Sequence, residues 1–430
     1  MGRPIPVCDS ATARYSNKSG EFVDCLAGCL NVQGDYYTCE FSLKLFQRKF
    51  RLPKFVIDPR VKMCASKGKK EVVDASVAII ARMKAQLMEK QVTLKGLQLE
   101  SADVHGAIGR ETWALQKKGG SKGTHIDLTK DPKALEPGTP QWEATSRDIR
   151  QALETYGCFL VDYDSVSREL REAMFEEMEP LFALPAEAKR KAAEGTPQSS
   201  LVLPGQTPDA PLQQVFGAVG LQEPETAQAL TDILWPDGND KFCQALQSMN
   251  KKMGEMALVL KKMIFQSYGL GEYCDSNVDP TEIGFGMVRY SAPMTDEPTK
   301  GLSEHIDGTF ITILCENDVD GLFTKSSKGE WHRVILKKNT FIVLAGFLLT
   351  AWSNGRIHGC LHKVTFKGYK VRKSCGLFLR PKLDQTVETP RGLIDEDHPL
   401  RFKPFRFKEF RQYCKAHDFA EDLLDKFAGI

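Results

Sequence analysis

The 430-residue sequence predicts an α+β protein in which a mainly helical stretch leads into a jelly roll or sandwich of short β-strands. Three observations carry that prediction. Between Arg147 and Tyr268 apolar residues recur at helical spacing. From Ile283 onward they form short runs, separated by turns such as Ser326-Ser-Lys-Gly329 and Ser353-Asn-Gly355. Beyond Phe407 the helical period returns. Composition fits a soluble globular protein, 42% hydrophobic and 27% charged. With 58 basic against 56 acidic residues the net charge is +2, which gives no ground for a nucleic-acid or membrane partner. No run of eighteen apolar residues and no apolar segment after Met1 is present, so the expectation is a cytoplasmic protein, with a monomer as the default.

Taken in order, residues 1–122 read as an atypical, partly disordered extension. Ten Lys/Arg against the single acid Asp58 lie between Lys44 and Lys70. This run is read as a solvated surface rather than a nucleic-acid patch. The twelve cysteines are scattered and expected to stay reduced. Cys25, Cys29 and Cys39 lack a paired CxxC and a fourth ligand, which sets a zinc reading aside. Asp74 can cap a helix running to Lys90, and 117–123 is a linker by composition.

Residues 123–275 read as mainly helical. A helix over Arg147–Tyr156 is closed by Gly157, a strand follows at Cys158–Tyr163, and a helix over Ser167–Phe182 stops near Leu184-Pro185. Gly195 to Pro224 is expected to be surface loop. A long helix over Asp240–Tyr268 would bury Met253, Met256, Leu260 and Met263 before Gly269 ends it. Residues 276–385 then supply strands at Phe285–Tyr290, Thr309–Cys315, Trp331–Leu336, Thr340–Ala345 and Cys375–Leu379. Residues 386–430 end the chain with one helix over Phe407–Phe427.

The polar residues of the β-rich part suggest chemistry. Positions two apart on a strand point the same way, so His305 and Asp307 can share one ion while Ile306 turns away. Two imidazoles and one carboxylate form the facial triad of non-haem Fe(II), and His358 and His362 are both available as the third ligand. By the same spacing Arg372 and Ser374 offer a guanidinium fork and a hydroxyl to one carboxylate, with a second hydroxyl from Tyr290. A buried arginine needs an anionic partner, and a bound diacid is one.

Met287-Val-Arg-Tyr-Ser-Ala-Pro293, His305-Ile-Asp307, Trp352-Ser-Asn-Gly-Arg356, His362-Lys-Val364 and Arg372-Lys-Ser-Cys-Gly-Leu-Phe378 together resemble the plant 2-oxoglutarate- and Fe(II)-dependent dioxygenases. The likeness is greatest to the clade of the alkenyl- and hydroxyalkyl-producing and auxin-oxidising enzymes, and runs from about Thr124 to Ile430. It implies an isopenicillin-N-synthase-like double-stranded β-helix flanked by helices. It also implies His305, Asp307 and His362 as iron ligands, with His358 demoted, and Arg372, Ser374 and Tyr290 as holders of 2-oxoglutarate. The implied reaction is oxidation of a small-molecule metabolite by O2, through hydroxylation, desaturation or dealkylation, with release of succinate and CO2 and with ascorbate as reductant. Alternatives are an ascorbate-dependent oxidase of the same fold and a catalytically silent jelly-roll binding protein. Two departures stand out: Gly346-Phe347-Leu348 where the family has Gly-Asp, and His362-Lys363-Val364 where it has His-Arg-Val.

Overall fold

The computed structural model describes residues 125–430, apart from 197, 206–209, 272–280, 337–338 and 418–420, together with two short strands nearer the amino terminus. The chain divides into two compact units, Met1–Gly109 and Arg110–Ile430. In the first, β1 (Asn31–Gln33) and β2 (Tyr36–Thr38) pair as an antiparallel hairpin. The expected helix at 74–90, the basic run at 44–70, the linker at 117–123 and the three amino-terminal cysteines lie outside the described residues.

In the second unit, helix ends follow capping chemistry. β3 (His125–Asp127) precedes α1 (Pro140–Tyr156), which opens on the Thr139 hydroxyl accepting from the Trp142 amide and on Pro140, whose missing N–H needs no partner there. It closes at Gly157 with φ 69°, the left-handed cap that glycine adopts without strain. The helix starts seven residues before Arg147, because the cap and the proline, not apolar spacing, mark its beginning. β4 (Cys158–Asp162) follows, then α2 (Arg168–Ala183), capped by Ser167, and α3 (Ala186–Gly195). The stretch expected as surface loop is corrected here: it contains β5 (Ser200–Val202) and the largely buried β6 (Gln213–Val219). Its Gln and Gly content hid a strand whose apolar residues, Val215, Phe216, Ala218 and Val219, are few. α4 (Pro224–Leu234) precedes α5 (Asp240–Ser267), where Met253, Met256, Leu260 and Met263 are all fully buried as the spacing predicts.

Twelve strands of this unit make two sheets. The larger runs β3-β4-β12-β9-β14-β7-β6-β5 and the smaller β11-β10-β13-β8. Their remaining members are β7 (Thr281–Tyr290), β8 (Thr295–His305), β9 (Ile311–Glu316), β10 (Leu322–Lys325), β11 (Trp331–Arg333), β12 (Thr340–Ala345), β13 (His362–Gly368) and β14 (Arg372–Pro381). Alternation along the large sheet explains its two cores. On β12, Phe341, Val343 and Ala345 join the helix-side core with Met253 and Met256, whereas Ile342 and Leu344 face the small sheet beside Leu322, Val364 and Phe366. A strand buried on both faces reads as a continuous apolar run, as Phe341-Ile-Val-Leu-Ala345 does. The arrangement is the jelly roll that the sequence predicts.

The carboxy-terminal helix is also corrected. It is broken into α7 (Phe407–Ala416) and α8 (Leu423–Ala428), after the short antiparallel pair β15 (Thr386–Val387) and β16 (Phe405–Arg406). Both helices pack with Ile306, Phe347 and Leu361 in a third apolar cluster. Among the described residues no helix is long and apolar enough to cross a membrane, and the six described cysteines are buried free thiols.

At the Gly346-Phe347-Leu348 departure the turn is closed by backbone. The Phe347 amide donates to the Asp307 carbonyl at 2.9 Å and the Leu348 amide to the Thr309 carbonyl at 3.0 Å. These bonds start the one-and-a-half-turn helix α6 (Phe347–Trp352). A β-carbon on Gly346 would lie 2.1 Å from the Thr309 carbonyl oxygen. Gly346→Ala is therefore expected to destabilise the fold by about 1–3 kcal/mol or more through forced backbone movement. A lowered urea midpoint checks this; an unchanged midpoint would mean that the turn yields freely.

Candidate metal centre and co-substrate site

His305 is the last residue of β8, and the β8–β13 register sets it directly opposite His362, the first residue of β13. The two rings lie 4.1 Å apart between centroids. Just beyond the strand end, Asp307 completes the group while Ile306 turns into the third apolar cluster. His305 Nε2 is 3.6 Å from Asp307 Oδ1 and His362 Nε2 is 3.9 Å from Asp307 Oδ2. All three donor atoms fall within 4.8 Å of one another. Each ring has Nδ1 at 2.9 Å from a backbone carbonyl, of Ser303 for His305 and of Cys360 for His362. A carbonyl can only accept, so Nδ1 carries the proton and Nε2 turns its lone pair toward the aspartate. Burial, and then the neighbouring His305, push the His362 imidazole down to about 4, so this ring is neutral at physiological pH and free to ligate. Two imidazole nitrogens and one carboxylate on one side of a space fit a divalent first-row ion such as Fe(II) with positions left open.

His358, the other histidine that the sequence offers, is not in this group. It sits against Gly157, whose β-carbon would meet its Nε2 at 3.1 Å, and lines a different cavity.

The second half of the site follows from alternation on three strands. Cys375, Leu377 and Leu379 of β14 point to the helix-side core, so Arg372, Ser374, Phe378 and Arg380 point into the barrel. By the same rule Tyr290 on β7 and Glu316 on β9 point inward. Cross-strand register puts Arg372 opposite Tyr290 and Ser374 opposite Glu316. Arg372, Ser374 and Tyr290 are all buried. The guanidinium carbon lies 5.1 Å from the centre of the Tyr290 ring, whose hydroxyl accepts from Gln213 Nε2 at 3.3 Å. Arg372 Nη2 donates to Glu316 Oε2 at 2.5 Å, while Nε and Nη1 find no hydrogen-bond partner among the described residues. Buried donors of this kind are rarely left unpaired, and an N–H on either side of the Glu316 contact can take an oxygen of a ligand carboxylate. The sequence thus brings Arg372, Ser374 and Tyr290 together as expected, but it does not point to Glu316. A signal was present: a charged residue directly after the run Ile313-Leu314-Cys315, at a position that alternation turns inward.

Beside the metal group opens a cavity of about 270 Å³, bounded by His305 and Asp307 and by Phe378, Arg380, Arg411 and Lys415. On α7, Phe407, Phe410 and Cys414 form the buried stripe, and Arg411 and Lys415, one turn apart, share the rim. Arg380 Nη2 and Arg411 Nη1 both donate to the side-chain oxygen of Gln198, at 3.2 and 2.9 Å. Glu282 is the carboxylate beside them, 3.4 Å from Arg380 Nε. Burial first, and then Arg411, lower the pKa of Arg380. Sequence reasoning missed Arg380, Arg411 and Lys415, because they meet only when a strand, a loop and a distant helix are folded together.

Comparison with known proteins agrees with this geometry. Residues 284–381 match the 2OG-Fe(II) oxygenase superfamily, and residues 125–212 match the amino-terminal family described as non-haem dioxygenase in morphine synthesis. A probable 2-oxoglutarate-dependent dioxygenase of Arabidopsis thaliana is 32% identical over 308 residues, covering 69% of this chain and 93% of that protein. The crystal structure of a dioxygenase for auxin oxidation in rice aligns with a TM-score of 0.61 at 28% identity, over 71% of this chain and 100% of the other. The Arabidopsis thaliana dioxygenase for auxin oxidation 1, in complex with 2-oxoglutarate, aligns at 0.57 and 26% identity, over 64% and 99%. The chain belongs to the 2-oxoglutarate- and Fe(II)-dependent oxygenase superfamily, as a dioxygenase that oxidises a small molecule.

Proposed function

We propose that His305, Asp307 and His362 hold Fe(II), that Arg372, Ser374 and Tyr290 hold the distal carboxylate of 2-oxoglutarate, and that the neighbouring cavity takes a small apolar organic anion. The observation that carries this is the convergence of two Nε2 lone pairs and a carboxylate at the barrel end, with unpaired guanidinium donors deeper in the same barrel. Bound together, Fe(II), 2-oxoglutarate and O2 supply the oxidising power, and the co-substrate leaves as succinate and CO2. The protein's part is geometry. The carbonyls of Ser303 and Cys360 hold the imidazoles in the ligating tautomer, Arg372 fixes the orientation of the diacid, and the apolar walls Phe378, Phe407 and Phe410 limit water. Ascorbate serves as reductant, keeping the metal ferrous between turnovers. On this reading 276–385 is the catalytic domain, 123–275 backs its larger sheet, and 386–430 supplies the cavity rim.

Charge sets the class of substrate. Three cations, Arg380, Arg411 and Lys415, line the cavity; Arg380 is paired with Glu282, and the one carboxylate on the cavity wall, Asp307, is assigned to the metal, so an anionic group on the substrate is the missing counter-charge for Arg411 and Lys415. Purified protein with Fe(II), ascorbate and 2-oxoglutarate is expected to release succinate slowly alone and faster with small aromatic or alicyclic acids. The matched neutral amides should stimulate less. Arg411→Ala is expected to raise KM for a stimulating acid about tenfold, the loss of one charge-assisted hydrogen bond, with kcat little changed. Equal stimulation by acids and amides would remove the anionic assignment, and absence of succinate throughout would contradict the reaction itself.

A further inference from the structure

Glu316 is an internal carboxylate bonded to the arginine that the proposed reading assigns to the co-substrate. It ends β9 with its side chain inside the barrel, paired to Arg372 Nη2, and its other oxygen finds no hydrogen-bond partner among the described residues. Both side chains are at most 3% exposed. With Glu316 ionised, the pair is electrically neutral before any ligand arrives. A dianionic co-substrate whose distal carboxylate reaches Arg372 therefore meets a guanidinium whose charge is already countered, and a second carboxylate beside it.

Two carboxylates sharing one buried cation do not both stay ionised, because like charges at hydrogen-bond range in a low-dielectric interior push one pKa sharply up. The ligand carboxylate takes an N–H that Glu316 leaves free, so the proton goes to Glu316, whose Oε1 makes no other hydrogen bond among the described residues. We propose that Glu316 is a proton-coupled gate on the co-substrate site: 2-oxoglutarate binding takes one proton from solvent onto Glu316, and its affinity falls as pH rises. The inference rests on Arg372 being the co-substrate clamp.

The surroundings favour this. Besides Arg372, the charged groups nearest Glu316 are Asp320 and Arg333, which pair with each other at 2.9 Å, so neither supplies Glu316 with a second full counter-charge. From β14 it faces the neutral Ser374, and from β7 the Tyr290 that stacks beneath Arg372 is held protonated by burial. Burial already raises the pKa of Glu316 against the pull of Arg372. The sign follows: a group that gains a proton on binding favours the complex at low pH, and that advantage is lost as pH rises through its pKa in the complex.

Calorimetric titration of the Mn(II)-loaded full chain with 2-oxoglutarate tests this without turnover. Repeating it in two buffers of different ionisation enthalpy counts protons on the wild-type protein, so the result does not depend on any variant folding. The expected result is uptake of one proton and a Kd that rises by up to about tenfold per pH unit between pH 6.5 and 8.5. In the near-isosteric Glu316→Gln both effects should vanish, and Kd at pH 8 should be about tenfold lower than wild type. Buffer-independent enthalpy in the wild type, or proton uptake that persists in Glu316→Gln, overturns the gate. Arg372→Lys separates the two layers of argument: if it weakens binding while Glu316→Gln moves nothing, the gate alone fails. If neither substitution moves Kd, the clamp assignment fails with it.

Discussion

Alanine at His362 is expected to lower 2-oxoglutarate turnover by more than about 100-fold, since loss of even an outer-shell partner of a metal ligand costs 10–100-fold and His362 is proposed as a ligand itself. Asp307→Ala is expected to do the same. His358→Ala should not, because His358 lies against Gly157 and away from the group. Succinate release at saturating Fe(II) and 2-oxoglutarate measures all three. The contrast between the two histidines carries the test, for His362 is buried, His358 half-buried, and both stand in the same short segment. Comparable losses in both would show that the segment's packing, not ligation, is being read.

Removing the guanidinium at 372 is the second large effect. Arg372→Ala should raise the Kd of 2-oxoglutarate by at least about 30-fold, the lower bound of about 2 kcal/mol for truncating one partner of a buried charge pair. It should also destabilise the fold, by about 3–5 kcal/mol, because Glu316 is left buried and unpaired. Arg372→Ala with Glu316→Ala removes both charges and is expected to recover most of the stability but none of the affinity. Chemical denaturation and ligand titration on the same samples separate the two consequences. If the double variant were as unstable as the single one, the ion pair would not be the source of the loss.

Much of this site was legible because strand geometry is simple. A period of two aims residues 372 and 374 the same way wherever β14 is flat, and a metal pair two residues apart needs only a strand end. Asp307 in fact stands beyond the end of β8, so the expected strand pairing of 305 with 307 holds only in part. Of the long strand Thr295–His305 only the end at His305 was legible. Its Glu, Pro, Lys and Ser residues give no alternation, and its place is fixed by pairing with β13 rather than by its own composition. β6 was missed for the same reason, hidden in a Gln- and Gly-bearing stretch. Choosing His362 over His358 needed resemblance at first; register supports the proposed choice, since His362 pairs with His305 across two strands. The cavity beside the metal group could not be read, because Gln198, Arg380 and Arg411 are distant in sequence and converge only through the fold.

The central claim is that one ferrous ion is seated by His305, Asp307 and His362 and takes 2-oxoglutarate beside it. Anaerobic titration of the purified chain with Fe(II), followed by 2-oxoglutarate, tests it most directly through the visible charge-transfer band of a keto acid bound to ferrous iron. One Fe(II) per chain is expected, with a band that appears only when the co-substrate is added and is lost in His305→Ala/His362→Ala. Failure to bind stoichiometric Fe(II), or a band of undiminished intensity in the double variant, would contradict the assignment.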